Sequence, residues 1–334
     1  MIREILTAPQ ELAWLPWAVQ YFFFIGIAAT GALIAVALRL FRKGLYPKAE
    51  MITLAIAATT GIVGPIALSA DLHQPGRIVN FYLSFTPWSW MWIGAIIVPF
   101  FVVFVLLQFL LVLRENTDKA KTFKWLRFVH WFNYNETKLI PFCSILLALT
   151  ACGILLYTGK EVNVLQAQAM WFTPWLPWAL FFTALQTIPM LVKTWKNWAN
   201  IQEQNSCLNR IQLFALIGVV VTLIGWAMSD TPAGEAFRSL PEKGSVWFTI
   251  GFGIVVYIIA LFAYTIYTFK ADKKLGWIIY TILALFSLSL AWTIRWAILM
   301  QVQTLPKYNV FINPYHLSWG FDGALGIIST FGLW

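Results

Sequence analysis

The chain has 334 residues, 60% of them hydrophobic and only 11% charged, whereas soluble domains carry roughly 25% charged residues. It is expected to be an integral membrane protein. Its net charge of +9 reads as membrane topology, not as a nucleic-acid groove, because the basic residues fall in short loops between apolar runs. Its three cysteines, Cys143, Cys152 and Cys207, lack the spacing of an iron–sulfur cluster or a structural zinc site.

Runs of about 20 apolar residues are long enough to cross a bilayer, and the sequence predicts eight, at approximately 17–39, 49–70, 88–113, 138–158, 174–193, 211–229, 246–269 and 276–301. The N-terminal stretch ahead of them has neither the basic start nor the small-residue site of a cleavable signal. Span 1 opens on Trp14-Leu15-Pro16-Trp17-Ala18, and span 2 ends at Ser69-Ala70-Asp71. The loop that follows gathers Asp71, His73 and Arg77, and Pro75 and Gly76 break any helix through it. Tyr82, Trp88, Trp90 and Trp92 then crowd the start of span 3, the composition of an interfacial aromatic belt. Span 5 opens on Trp175-Leu176-Pro177-Trp178-Ala179, and span 6 ends at Met228-Ser229-Asp230, followed like span 2 by a Pro, a Gly and an Arg (Arg238). Arg295 is the only charge well inside an apolar run, either snorkelling outward or paired in the interior.

The repeated openings and endings predict a parallel internal duplication. The expected fold is all-α, with eight transmembrane helices in two four-helix bundles, 1–160 and 161–334. Most of the 23 Lys and Arg lie after the odd-numbered spans: Arg39, Arg42, Lys43 and Lys48, then Arg114 to Lys138, then Lys193, Lys196 and Arg210, then Lys270 to Lys274. The positive-inside rule puts these loops in the cytoplasm. Both termini and the Asp71–Arg77 loop are then expected on the opposite side, the periplasm of a bacterial inner membrane.

Composition also limits the chemistry. His73, His130 and His316 all lie at or beyond span boundaries, which argues against haem ligation within the membrane. No Asp or Glu falls in the middle of a span, which disfavours a transporter. What remains is an aromatic-lined site at the outer interface, suited to an amphiphile with a flat polar ring and an apolar tail, such as a quinol. Asp71 or His73 would accept a proton there. The rival readings are a purely structural anchor and, behind it, a multi-span transporter.

The sequence resembles the polysulfide reductase membrane subunit family (NrfD/PsrC-like). Tyr21 with Ile25-Gly26-Ile27-Ala28-Ala29, Asp71 through Pro75 to Arg77, Leu83-Ser84-Phe85 with Pro87, Ser89 and Trp92 to Gly94, and Tyr157-Thr158-Gly159 with Trp171 beyond carry the resemblance. In the last span, Arg295-Trp296 followed by Gln301 resembles longer members. Within the family the opening from Trp14 to Tyr21 and the chain length are most similar to the tetrathionate reductase branch.

The resemblance implies an anchor that oxidises menaquinol at the periplasmic end of the first half. Electrons would pass to a four-cluster ferredoxin-like iron–sulfur subunit, and through it to a molybdopterin catalytic subunit. Tyr157 matches the family's ring-binding tyrosine, and Asp71 and Arg77 its acidic and basic loop positions. On span 1 the family pattern has an Asn and, three residues later, a His. Those positions here are Ala18 and Tyr21, with Gln20 the nearest amide. Tyr21 can donate a hydrogen bond but is a far weaker base than His, so proton acceptance is expected to shift to His73 or Asp71.

Overall fold

The computed structural model describes residues 12, 14–42, 45–72, 75–117, 136–240, 245–270, 275–304 and 315–334. All regular structure among them is helical. The long helices are α1 (Pro16–Arg42), α2 (Pro47–Asp71), α4 (Trp90–Asn116), α5 (Glu136–Asn163), α6 (Trp175–Trp198), α7 (Ser206–Met228), α9 (Val246–Lys270) and α10 (Trp277–Leu299). Three short ones join them: α3 (Asn80–Leu83), α8 (Pro232–Ser239) and α11 (Ala324–Leu333). All eight long helices are apolar and long enough to cross a membrane, and they match the eight expected spans. Backbone groups bonded within each helix are what a hydrocarbon surrounding demands.

α1 is the axis of the molecule. The most apolar stretch of α1 is 89% buried by other helices, against 6% for α9, whose apolar face is left outward. α1 touches α2, α5, α6 and α10; α4 lies on α2 and α5, and α9 on α7 and α10. Small residues let the helices approach closely. A side chain at Gly31 would press on Ala57 of α2 and Ile188 of α6, and one at Gly64 would meet the Ile25 backbone.

Polar clasps hold the end bearing the α1–α2 and α6–α7 connections. Arg39 donates to Glu50 on α2 at 2.8 Å and pairs with Glu115 on α4. Glu203 accepts from the Lys48 and Ala49 amides at 3.0 and 2.9 Å, which caps the N-terminus of α2 from the connection between α6 and α7. A carboxylate is favourable there because the first amides of a helix have no internal partner.

At the other end, the Trp14 ring stacks on Trp171 at 5.3 Å. Trp14 is fixed by Gln303, which accepts from its amide and donates to its carbonyl. The approach to α1 and the connection leading into α6 therefore lie together at this end. Residue 160, the expected boundary between halves, lies in the last turn of α5, and the connection to α6 begins after Asn163.

The chain turns back after α10. α11 runs along α1, with Phe331 against Phe23 and Phe24, and Trp334 donates to Thr59 midway along α2. Ten residues rise only about 15 Å, so hydropathy over a full span length does not detect α11.

Candidate functional site

A cavity of about 170 Å³ opens where the N-terminal end of α1 meets the C-terminal ends of α2 and α5 and the start of α4. For scale, an apolar cavity of about 150 Å³ holds a benzene ring. Each element supplies one or two functional side chains. Ala18 and Tyr21 come from one face of α1, three residues apart, and Trp14 from the chain just ahead of it. Asp71 ends α2, and Tyr82 of α3 and Met91 of α4 close the rim. Tyr157 and Glu161, four residues apart, face inward from the last turns of α5.

Tyr21 and Tyr157 are almost completely buried. Their hydroxyls stand beside one another, and that of Tyr157 also faces the Glu161 carboxylate. Yet the Tyr21 hydroxyl and Glu161 Oε2 are buried without a partner in hydrogen-bond geometry. Leaving such groups unsatisfied costs about 1–3 kcal/mol each, more when the group is charged. Orphaned polar atoms converging on an apolar hollow point to a ligand that completes them. Gly94 makes the arrangement possible, because a Cβ there would overlap the Tyr157 ring. A phenol donor, a second phenol and a carboxylate acceptor around a flat apolar slot can bind a ring bearing hydroxyl groups and take protons from it.

The structure brings together three of the expected site residues, Tyr21, Tyr157 and Asp71. It places three elsewhere. Gln20 is fully buried but faces away from the cavity: its amide donates to Thr330 at 2.5 Å and to the Ile327 carbonyl at 3.1 Å, and accepts from Trp292. Adjacent helical residues point about 100° apart, so Gln20 and Tyr21 cannot share one slot. Arg77 sits exposed on the short turn Pro75–Arg77 and does not line the cavity.

Arg295 is buried and bonded in the interior, not snorkelling. Its guanidinium donates to Phe22 O at 3.0 Å, Leu180 O at 2.8 Å, Thr183 Oγ1 at 3.1 Å and Ala291 O at 2.9 Å, stitching α10 to α1 and α6. His73 lies outside the described residues.

Sequence reasoning missed Glu161. Ending span 4 at residue 158 left it in a loop, although Tyr157 and Glu161 have the spacing of one helical face.

A second cavity, about 240 Å³, occupies the corresponding place in the second half, between the ends of α7 and α10, α8 and the start of α9. Trp247, Ile250, Gly251 and Ile254 line it at the same spacing at which Met91, Gly94, Ala95 and Val98 line the first. Where α5 offers Tyr157 and Glu161, α10 offers Ile294 and Ile298, again four residues apart. Among the described residues its lining has no carboxylate or phenol. Among the described residues no three His, Cys, Asp or Glu gather as metal ligands.

Eight apolar helices with this cavity at one end define a multi-pass membrane subunit. The chain belongs to the polysulphide reductase, NrfD family, whose pattern matches residues 5–307. Among individual proteins it is similar to a tetrathionate reductase subunit of Salmonella typhimurium. The two are 40% identical over 341 aligned positions, covering 100% of this chain and 92% of that protein. The chain is accordingly a membrane subunit of the tetrathionate/polysulfide reductase type.

Proposed function

We propose that this subunit anchors a reductase complex and oxidises menaquinol in the first-half cavity. The observation that carries the reading is the convergence of the orphaned Tyr21 hydroxyl and Glu161 oxygen, with the Tyr157 phenol, on one apolar slot. The ring lies between Ala18, Val98 and the Tyr157 side, and its isoprenoid tail leaves between helices toward lipid. Glu161 accepts the proton of one ring hydroxyl directly; once it has passed that proton on, it takes the second through the Tyr157 hydroxyl, which gives its own proton to Glu161 and receives that of the other ring oxygen.

Each quinol loses two protons and two electrons and becomes quinone. The protons pass from Glu161 by way of Asp71 to water at the same end. The electrons leave singly for an iron–sulfur subunit docked over this end, and from there reach a molybdopterin subunit. Arg39, Lys48 and Lys196 cluster at the opposite end, which supports a cytoplasmic assignment there and a periplasmic cavity. The helix pairings support two four-helix halves, and of the two corresponding cavities only the first has proton-handling groups in its described lining.

Titration of the purified full chain with a fluorescent quinol analogue tests this. Binding should quench the fluorophore, and Tyr157→Phe and Asp71→Asn should each weaken it. Absence of quenching in the wild type would leave a structural anchor.

A further inference from the structure

The opposite end holds a different site. Between α6, α7, α9, α10 and the α6–α7 connection lies a polar cavity of about 280 Å³. Lys193, 1% exposed, lies in its wall. Its ammonium donates to Asn209 Oδ1 at 3.0 Å and to Gln212 Oε1, and sits 4.6 Å over the Tyr264 ring. All of these partners are neutral. Lys196, also buried, pairs with Glu203 at 3.1 Å. That carboxylate is the single acidic side chain among the described residues of the lining, and it already accepts two amides of α2. Among the described residues two lysines thus face one carboxylate, an excess of basic over acidic groups. An unpaired cation inside a membrane protein is costly.

A second observation is independent of that charge. Tyr264 lines the cavity, and its hydroxyl is buried with no partner in hydrogen-bond geometry, although Tyr280 stands beside it. The remaining wall is rich in amide side chains, such as Asn197, Asn205 and Asn209. Positive charge, a waiting hydroxyl donor and amides suit an anion with several acceptor oxygens. Basic pockets between helix ends are where membrane proteins hold anionic headgroups.

We propose that this cavity binds a phosphate group, with Lys193 supplying the balancing charge and Tyr264 a hydrogen bond. The phosphate comes either from an anionic phospholipid of the adjoining leaflet or from solution. The site is separate from the quinol cavity and does not depend on its assignment.

The test compares thermal midpoints of the detergent-purified full chain with phosphatidylglycerol, with phosphatidylcholine, and with inorganic phosphate against chloride at equal ionic strength. Phosphatidylglycerol or inorganic phosphate should raise the midpoint of the wild type by several degrees. Lys193→Met, which removes the charge, and Gln202→Trp, which fills the mouth without touching Lys193, should abolish the rise. A response to phosphatidylglycerol alone identifies a headgroup as the source, and a response to inorganic phosphate identifies a soluble anion. The proposal fails if neither shifts the wild type, or if both variants respond as the wild type does. Should Lys193→Met not fold, an unchanged response in Gln202→Trp is sufficient to overturn it.

Discussion

Gly94 offers the sharpest perturbation of the quinol cavity. A Cβ at this position would fall within the Tyr157 ring, so Gly94→Ala obliges either the ring or α4 to move. Tyr157 is 2% exposed and has little room to yield. Overpacking of this kind costs about 1–3 kcal/mol. At 1.36 kcal/mol per factor of ten, quinol oxidation should fall roughly 5- to 150-fold if the strain is borne by the bound ring. Gly251→Ala is the matched control, since a Cβ there meets nothing within 4 Å, and it borders the second cavity, whose described lining holds no acid or phenol. The assay is steady-state oxidation of a soluble quinol by the intact complex, normalised to correctly inserted protein. Wild-type turnover in Gly94→Ala would refute the placing of the ring against Tyr157, and a comparable loss in Gly251→Ala would refute the asymmetry between the halves.

Three further outcomes are expected. Glu161→Gln should retain quinol-analogue binding but slow turnover about 10²- to 10⁴-fold, as loss of a general base does; unimpaired turnover would assign the proton elsewhere. Arg295→Ala should destabilise the chain by about 2–5 kcal/mol, because it removes the bonds to Phe22, Leu180 and Thr183 and leaves a hole. An unshifted denaturation midpoint in detergent would argue against that staple. Cys207, partly exposed beside the polar cavity, should react with a membrane-impermeant maleimide only from the cytoplasmic side. Labelling of intact spheroplasts from outside would invert the proposed orientation.

The eight spans were legible because a bilayer demands long apolar helices, and hydropathy reads that demand directly. The repeated Trp-Leu-Pro-Trp-Ala marked the starts of α1 and α6, and Trp14 of the first repeat stacks on Trp171, four residues ahead of the second. The site was only partly legible. Asp71 could be named from its place near the interface and Tyr21 and Tyr157 from the family resemblance, but which face of α1 met the cavity could not. That choice depends on α11, which claims Gln20 and is too short to register as a span. Glu161 was lost for a related reason: the final turn of α5 is polar and continues beyond the hydrophobic run. Lys193 was counted as a loop charge at the cytoplasmic edge, whereas α6 runs five residues past it and buries it. Hydropathy locates the part of a helix that lipid requires, and polar helix ends, where the cavities lie, escape it.

Quinol binding in the first half is most directly tested by photolabelling the intact complex with an azido-menaquinone and mapping the adducts by peptide mass. Labels are expected on segments 14–22, 91–98 and 157–161, displaced by excess menaquinone. Displaceable labels confined to 247–255 and 294–298 would contradict this, because they would put the quinol in the cavity whose described lining holds neither acid nor phenol.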